Sequence, residues 1–172
     1  QYTGAPPAMG DPNYYNVAAA NADGVEVELT LAELLGVQAS VGHTWTDTRV
    51  VDAGFDTAPE ANFVQGGRLL RRPEHVTTLQ LRRALGAMGT ASVAVVRTGE
   101  REDRDFATWP ATVVVLDAFT TVDASAELRV PVTGANARFT LRAENLLDVR
   151  YQQIAGFDSP GRVLYAGLRL ER

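Results

Sequence analysis

Residues 25–31 read Val25-Glu26-Val27-Glu28-Leu29-Thr30-Leu31, and this alternation decides the fold class. The odd positions are all aliphatic and the even ones charged or polar, so an extended chain would have one greasy face and one wet face. The same period of two recurs outward from it. Val37, Ala39, Val41, His43 and Trp45 alternate with Gln38, Ser40, Gly42, Thr44 and Thr46. Leu79 and Leu81 alternate with Thr78, Gln80 and Arg82, and Val122, Ala124, Ala126, Leu128 and Val130 with Thr121, Asp123, Ser125, Glu127 and Arg129. Phe139, Leu141 and Ala143, then Leu164, Ala166, Leu168 and Leu170, close the series. Strands are expected at 14–32, 37–49, 69–85, 90–101, 117–130, 137–151 and 162–171.

The links between them alternate in length. Short turns rich in Gly and Pro fall at Glu33–Gly36, Gly86–Gly89 and Pro131–Asn136, and longer polar links at Val50–Gly67, Glu102–Thr112 and Gln152–Pro160. Short turns at one end and long loops at the other fit an antiparallel up-and-down transmembrane β-barrel. A soluble β-sandwich also alternates. Charges in mid-strand on the polar faces, and strands longer than the five or six residues usual in soluble sheets, favour the barrel. Seven strands is an odd total. Either residues 1–13, rich in Gly and Pro, hide a truncated strand rather than a loop, or the chain is a partial wall of about 7–8 strands from a larger barrel.

Composition narrows the functions. The chain has 172 residues and a formal net charge of -5, and all 16 of its basic residues are arginine. With no lysine and no polybasic run, a nucleic-acid partner is not expected. The absence of cysteine removes disulfides, thiol catalysis and cysteine-bound metals. No apolar run approaches the roughly 20 residues of a spanning helix, and no signal segment is expected in these residues.

Toward the C-terminus the run Leu141-Arg142-Ala143-Glu144-Asn145-Leu146-Leu147-Asp148, then Tyr151, Gly156, Pro160-Gly161-Arg162 and Gly167-Leu168-Arg169, resembles the closing strands of TonB-dependent outer-membrane receptors. Asn16–Glu26, with Gly24 and Glu26, and Leu69–His75, with Arg72 and Pro73, are similar to two earlier strands of that family. Thr98–Asp103 with Phe106 is similar to a strand of its cobalamin-receptor-like members. The resemblance implies a plug domain, absent here, and a barrel of about 22 strands, of which residues 14–172 would be the C-terminal part. At about 20 residues per strand and loop, such a barrel needs on the order of 440 residues. The family usually ends in phenylalanine; this chain ends Leu170-Glu171-Arg172.

The function implied is import of a nutrient chelate, cobalamin or a ferric siderophore. It would run across the outer membrane of a Gram-negative bacterium, powered through the plug by a TonB-type energy-transducing protein. Outer-membrane lipid is the other partner. Ligand contact is expected on the long loops, where Phe55, Phe63, Trp109, Tyr151 and Phe157 are the aromatics best placed. A small self-contained outer-membrane barrel acting as a pore, adhesin or structural protein, and a soluble sandwich binding module, stand as alternatives.

No catalytic constellation is expected. Glu26 with Glu28, and Asp123 with Glu127, share strand faces as glycosidase carboxylates might, but a polar lumen lining accounts for them. The serines lack a base, and no cofactor is expected. Glu102, Asp103 and Asp105 could suggest calcium, yet they lack the spacing of a calcium loop and read as a solvated loop. His43 and His75 could form a two-histidine metal site, but His43, in line with Val41 and Trp45, reads as part of an interfacial aromatic belt.

Overall fold

The structure is a computed structural model that describes residues 19–54, 61, 63–107, 109–132 and 135–171. The expected feature at residues 1–13, the start of the first expected strand at 14–18, and Phe55 and Arg172, lie outside the described residues. Seven antiparallel strands form one sheet in chain order: β1 (Ala19–Leu34), β2 (Val37–Asp52), β3 (His75–Ala84), β4 (Gly89–Thr98), β7 (Phe119–Val132), β8 (Ala135–Glu144) and β11 (Val163–Glu171). Two hairpins sit inside the long connections: β5 (Arg101–Asp105) with β6 (Thr112–Leu116), and β9 (Gln152–Ile154) with β10 (Phe157–Asp158). Among the described residues β1 and β11 are the edges, so the sheet is an open wall.

The seven expected strands are the seven of this sheet, with shorter ends in three places. Residues 69–74 leave the extended path because Arg71 turns at φ 61 and its amide bonds the Glu102 carbonyl. Residues 145–151 do so because Asn145 and Asp148 adopt left-handed φ of 48 and 55. At 99–101 the chain passes Gly99 and enters β5. The link at 102–112, expected to be a polar loop, holds the β5–β6 hairpin instead.

The register places the greasy positions side by side. Leu31, Ala39, Leu81, Val93, Ala124, Ala143 and Leu164 form one row across all seven strands. On the opposite face Gln38, Arg82, Ser92, Ser125, Arg142 and Tyr165 form a polar row across six. Among the described residues no second layer covers the aliphatic face: Leu29 is 68% exposed and Leu164 71%. Of the buried apolar side chains among the described residues, Val50, Ala53, Ala61, Ala111, Leu116 and Phe119 gather at the long-loop end, and Ala137 lies at the short-turn end of β8. A sandwich would bury its aliphatic rows between two sheets about 10 Å apart, so the soluble alternative is excluded.

The aliphatic band runs obliquely. In the row just named, Leu31 is the last member of the β1 set Val25–Leu31, whereas Leu164 is the first of the β11 set Leu164–Leu170. The band therefore slides by six residues over six strand-to-strand steps, one residue per step. At about 3.3 Å along a strand for every 4.8 Å across, that is a tilt of about 35°. Barrel closure demands a tilt of this size.

Candidate functional site

The long-loop end is held together by charge. On β5, Asp103 has no exposed surface. Its Oδ1 accepts from Arg71 Nε and from the Arg104 amide, both at 2.8 Å, and its Oδ2 accepts from the Ala155 amide at 2.8 Å. One carboxylate thus joins all three long connections: 53–74, 99–118 and 145–162. Burial alone would raise the Asp103 pKa, but the Ala155 and Arg104 amides and the Arg71 guanidinium outweigh it and hold the carboxyl below its ordinary range.

Two buried arginines flank Asp103. Arg101 donates to the Gln152 carbonyl and lies 5.3 Å from the centre of the Phe119 ring, which stacks on Tyr151 at 3.9 Å and 19°. Burial pushes the Arg101 guanidinium downward, with Asp103 opposing. Arg104 donates to the carbonyls of Ala111, at 2.9 Å, and of Ala61. Among the described residues Arg101 Nη1 and Arg104 Nε find no hydrogen-bond partner.

Beside this weld the segment 144–162 closes on itself. Asn145 is buried; its Oδ1 accepts from the Val149 amide at 3.0 Å, and its Nδ2 donates to the carbonyls of Val149 and Pro160 at 2.9 and 3.4 Å. Its own amide reaches Asp123 Oδ1 at 2.8 Å. Asp148 Oδ1 accepts from the Arg162 amide at 2.8 Å, and a Cβ at Gly161 would stand 2.6 Å from that oxygen.

The polar face of the sheet is the concave one. Its residues, Gln38, Arg82, Ser92, Ser125, Arg142 and Tyr165 among them, line a trough of about 1120 Å³. Ser92 and Ser125 meet at 2.7 Å, Arg138 pairs with Glu127 at 3.1 Å, and Arg142 with Glu144 at 2.6 Å.

A tilted open wall with a bare outer face, a polar hollow and long loops tied together at one end agrees with the comparison that follows. The family model described as TonB dependent receptor-like, beta-barrel matches residues 1–146. The chain belongs to that family. Its fold is likewise similar to solved receptors. The siderophore receptor PiuA from Acinetobacter baumannii is 20% identical with a TM-score of 0.65, the match covering 88% of this chain and 21% of that one. BauA, the ferric preacinetobactin receptor of the same organism, is 16% identical with a TM-score of 0.64, covering 87% and 22%. The chain thus spans about a fifth of the length of these receptors. No curated protein matches it. The TonB-dependent family is one of transport receptors, not enzymes, and its members are outer-membrane proteins of Gram-negative bacteria.

In this receptor wall only some of the motif residues singled out from sequence come together. Asn145, Asp148, Pro160, Gly161 and Arg162 come together in the closure just described, with Leu146 donating its amide to the Val122 carbonyl at 2.7 Å. Gly156 turns the β9–β10 hairpin at φ 81. Glu144 lies on the concave side with Arg142 and Tyr165, and Glu26 is exposed on the polar face of β1. Gly24 pairs with Thr46, where a Cβ would meet the Trp45 carbonyl at 2.5 Å. Arg72 is exposed and Pro73 half-buried in the entry to β3.

The aromatics do not form one cluster. Tyr151 is committed to Phe119; Trp109 is 87% exposed near the β5–β6 turn and Phe157 71% exposed on β10. Phe63 is half-buried. No ring contact joins these residues to one another among the described residues.

The acidic cluster is corrected: Asp103 is no solvated loop residue but the buried centre of the weld. Arg71, Arg101 and Arg104 were not expected there. The similarity spanning Thr98–Phe106 contains Arg101 and Asp103 and was the available signal. Among the described residues no group of three or more metal-ligating side chains occurs.

Proposed function

We propose that this chain is the C-terminal wall of a TonB-dependent outer-membrane receptor that imports a nutrient chelate, a ferric siderophore or cobalamin. Residues 14–172 supply barrel strands and outer loops, with residues 1–13 a loop or truncated strand. A plug outside this sequence couples the barrel to a TonB-type energy-transducing protein. The observation that carries the reading is the bare aliphatic face opposite a polar concave wall: such a sheet suits hydrocarbon outside and an aqueous lumen within.

The long loops, drawn together by Asp103, form the outer rim, and their exposed aromatics Trp109 and Phe157, with Phe55 and Phe63, offer contact area to a large ligand. Siderophore import is favoured over cobalamin because PiuA is a siderophore receptor and BauA a ferric preacinetobactin receptor. The test is uptake of radiolabelled ferric siderophores and cobalamin by cells lacking the full-length protein and by cells carrying it. Restored uptake of one class identifies the cargo. Equal uptake of both classes with and without the protein would overturn the reading.

A further inference from the structure

His43 and His75 meet on the aliphatic face, near its long-loop end. His43 lies on β2 opposite Thr77, and His75 opens β3 opposite Trp45. Both side chains are exposed. His43 Nε2 and His75 Nδ1 are 3.4 Å apart, with ring centroids at 5.5 Å and planes inclined by 30°. Two nitrogens bound to one tetrahedral ion, with bonds of about 2.05 Å, stand about 3.3 Å apart. Without metal the contact is a ring-to-ring hydrogen bond, and its length matches the bite of such a chelate, so an ion can replace the shared proton with little movement of either ring.

The other nitrogen of His43 supports the same reading. His43 Nδ1 lies 2.8 Å from Thr77 Oγ1. When Nδ1 donates to that hydroxyl, the Nε2 lone pair is left facing His75, which is how ligating imidazoles are oriented by an outer partner. The neighbouring acid is already engaged. Glu74 Oε1 accepts from Trp45 Nε1 at 3.1 Å, and Oε2 pairs with Arg68 at 3.0 Å.

We propose that His43 and His75 form a two-nitrogen binding site for a divalent transition-metal ion that favours imidazole: zinc, nickel or copper(II). At the long-loop end of the aliphatic band, level with Trp45 and the headgroups rather than the hydrocarbon, water completes its coordination. The ion clips the first residue of β3, where the long connection from β2 ends, to the middle of β2. With two protein ligands the site is exchangeable, unlike a closed four-ligand structural centre.

The test uses the full-length protein in detergent, stripped of metal and titrated with copper(II), zinc or nickel. Calorimetry reads stoichiometry, and paramagnetic resonance of the copper form reads the number of bound nitrogens. One equivalent, with two nitrogen ligands in the copper form, is expected in the unsubstituted protein and is lost in His43→Ala and in His75→Ala. Thr77→Val should weaken binding about tenfold or more while leaving the stoichiometry intact. Both histidine side chains lie on the surface, and a heat-modifiability assay verifies that the variants stay folded. No binding by the unsubstituted protein, or the same equivalent surviving in either histidine variant, would overturn the proposal.

Discussion

Arg71 Nε stands 2.8 Å from Asp103 Oδ1, so the connection leading into β3 is fastened to a strand 32 residues further along the chain. The carboxylate is wholly buried and the guanidinium half-exposed, and the Ala155 amide on the same carboxylate adds the third loop. Removing the acid leaves two amides and a guanidinium without their acceptor. Asp103→Ala is expected to destabilise the loop end by about 3 kcal/mol. Limited proteolysis should then cut the segments 61–74 and 145–162 faster, while the strands stay protected.

The same carboxylate sets an acid limit. Because its pKa in the folded protein lies below the unfolded value, its contribution is fully present above the ordinary carboxylate range, near pH 4, and is lost as pH falls through the lowered value. Loop protection from protease should hold at pH 5 and fall only below about pH 4. In Asp103→Asn this acid step should vanish. An unaltered acid profile in that variant would show that another group controls it.

Inside and outside of the wall can be told apart by paired substitutions on adjacent residues of β8. Leu141 lies on the aliphatic face, 44% exposed, and Arg142 on the concave face beside Glu144. Leu141→Arg should cost about 2 to 4 kcal/mol in reversible unfolding from lipid, the cost of a cation near the bilayer midplane. Arg142→Leu breaks a solvent-exposed ion pair and should cost less than about 1 kcal/mol. Equal costs would mean the faces are assigned wrongly.

Gly161 and Asp148 should behave as a unit. An alanine at 161 would drive its Cβ to 2.6 Å from Asp148 Oδ1 and dislodge the acceptor of the Arg162 amide. Gly161→Ala is expected to cost about 1 to 2 kcal/mol alone and much less in an Asp148→Ala background. A double-mutant cycle on unfolding free energy measures the difference. Additive costs would show that the two positions act separately.

Much of the wall was legible in the residues themselves. The period of two assigned the aliphatic and polar faces of most strands, from Val25–Leu31 through Leu164–Leu170, but not those of β4, where Val93, Val95 and Val96 occupy both sides of the alternation. The motif Asn145–Asp148 with Pro160–Arg162 falls on a closure whose hydrogen bonds within residues 144–162 span at most 15 residues. The short strands β5 and β9 went unseen: five residues reading Arg101-Glu102-Asp103-Arg104-Asp105 have no apolar face to betray a strand. Their extended form comes from partners far along the chain.

By itself, then, the sequence determined which side of most strands shuns water, where the long strands of the described sheet run and at which end the long loops lie, because alternation is a property of neighbours along the chain. Only the tertiary structure decided that the aliphatic rows stay uncovered, that the polar face is the hollow one, that Asp103 is buried among three loops and that His43 meets His75. Those outcomes depend on register, tilt and contacts between segments 32 to 52 residues apart, and no local pattern carries such distances.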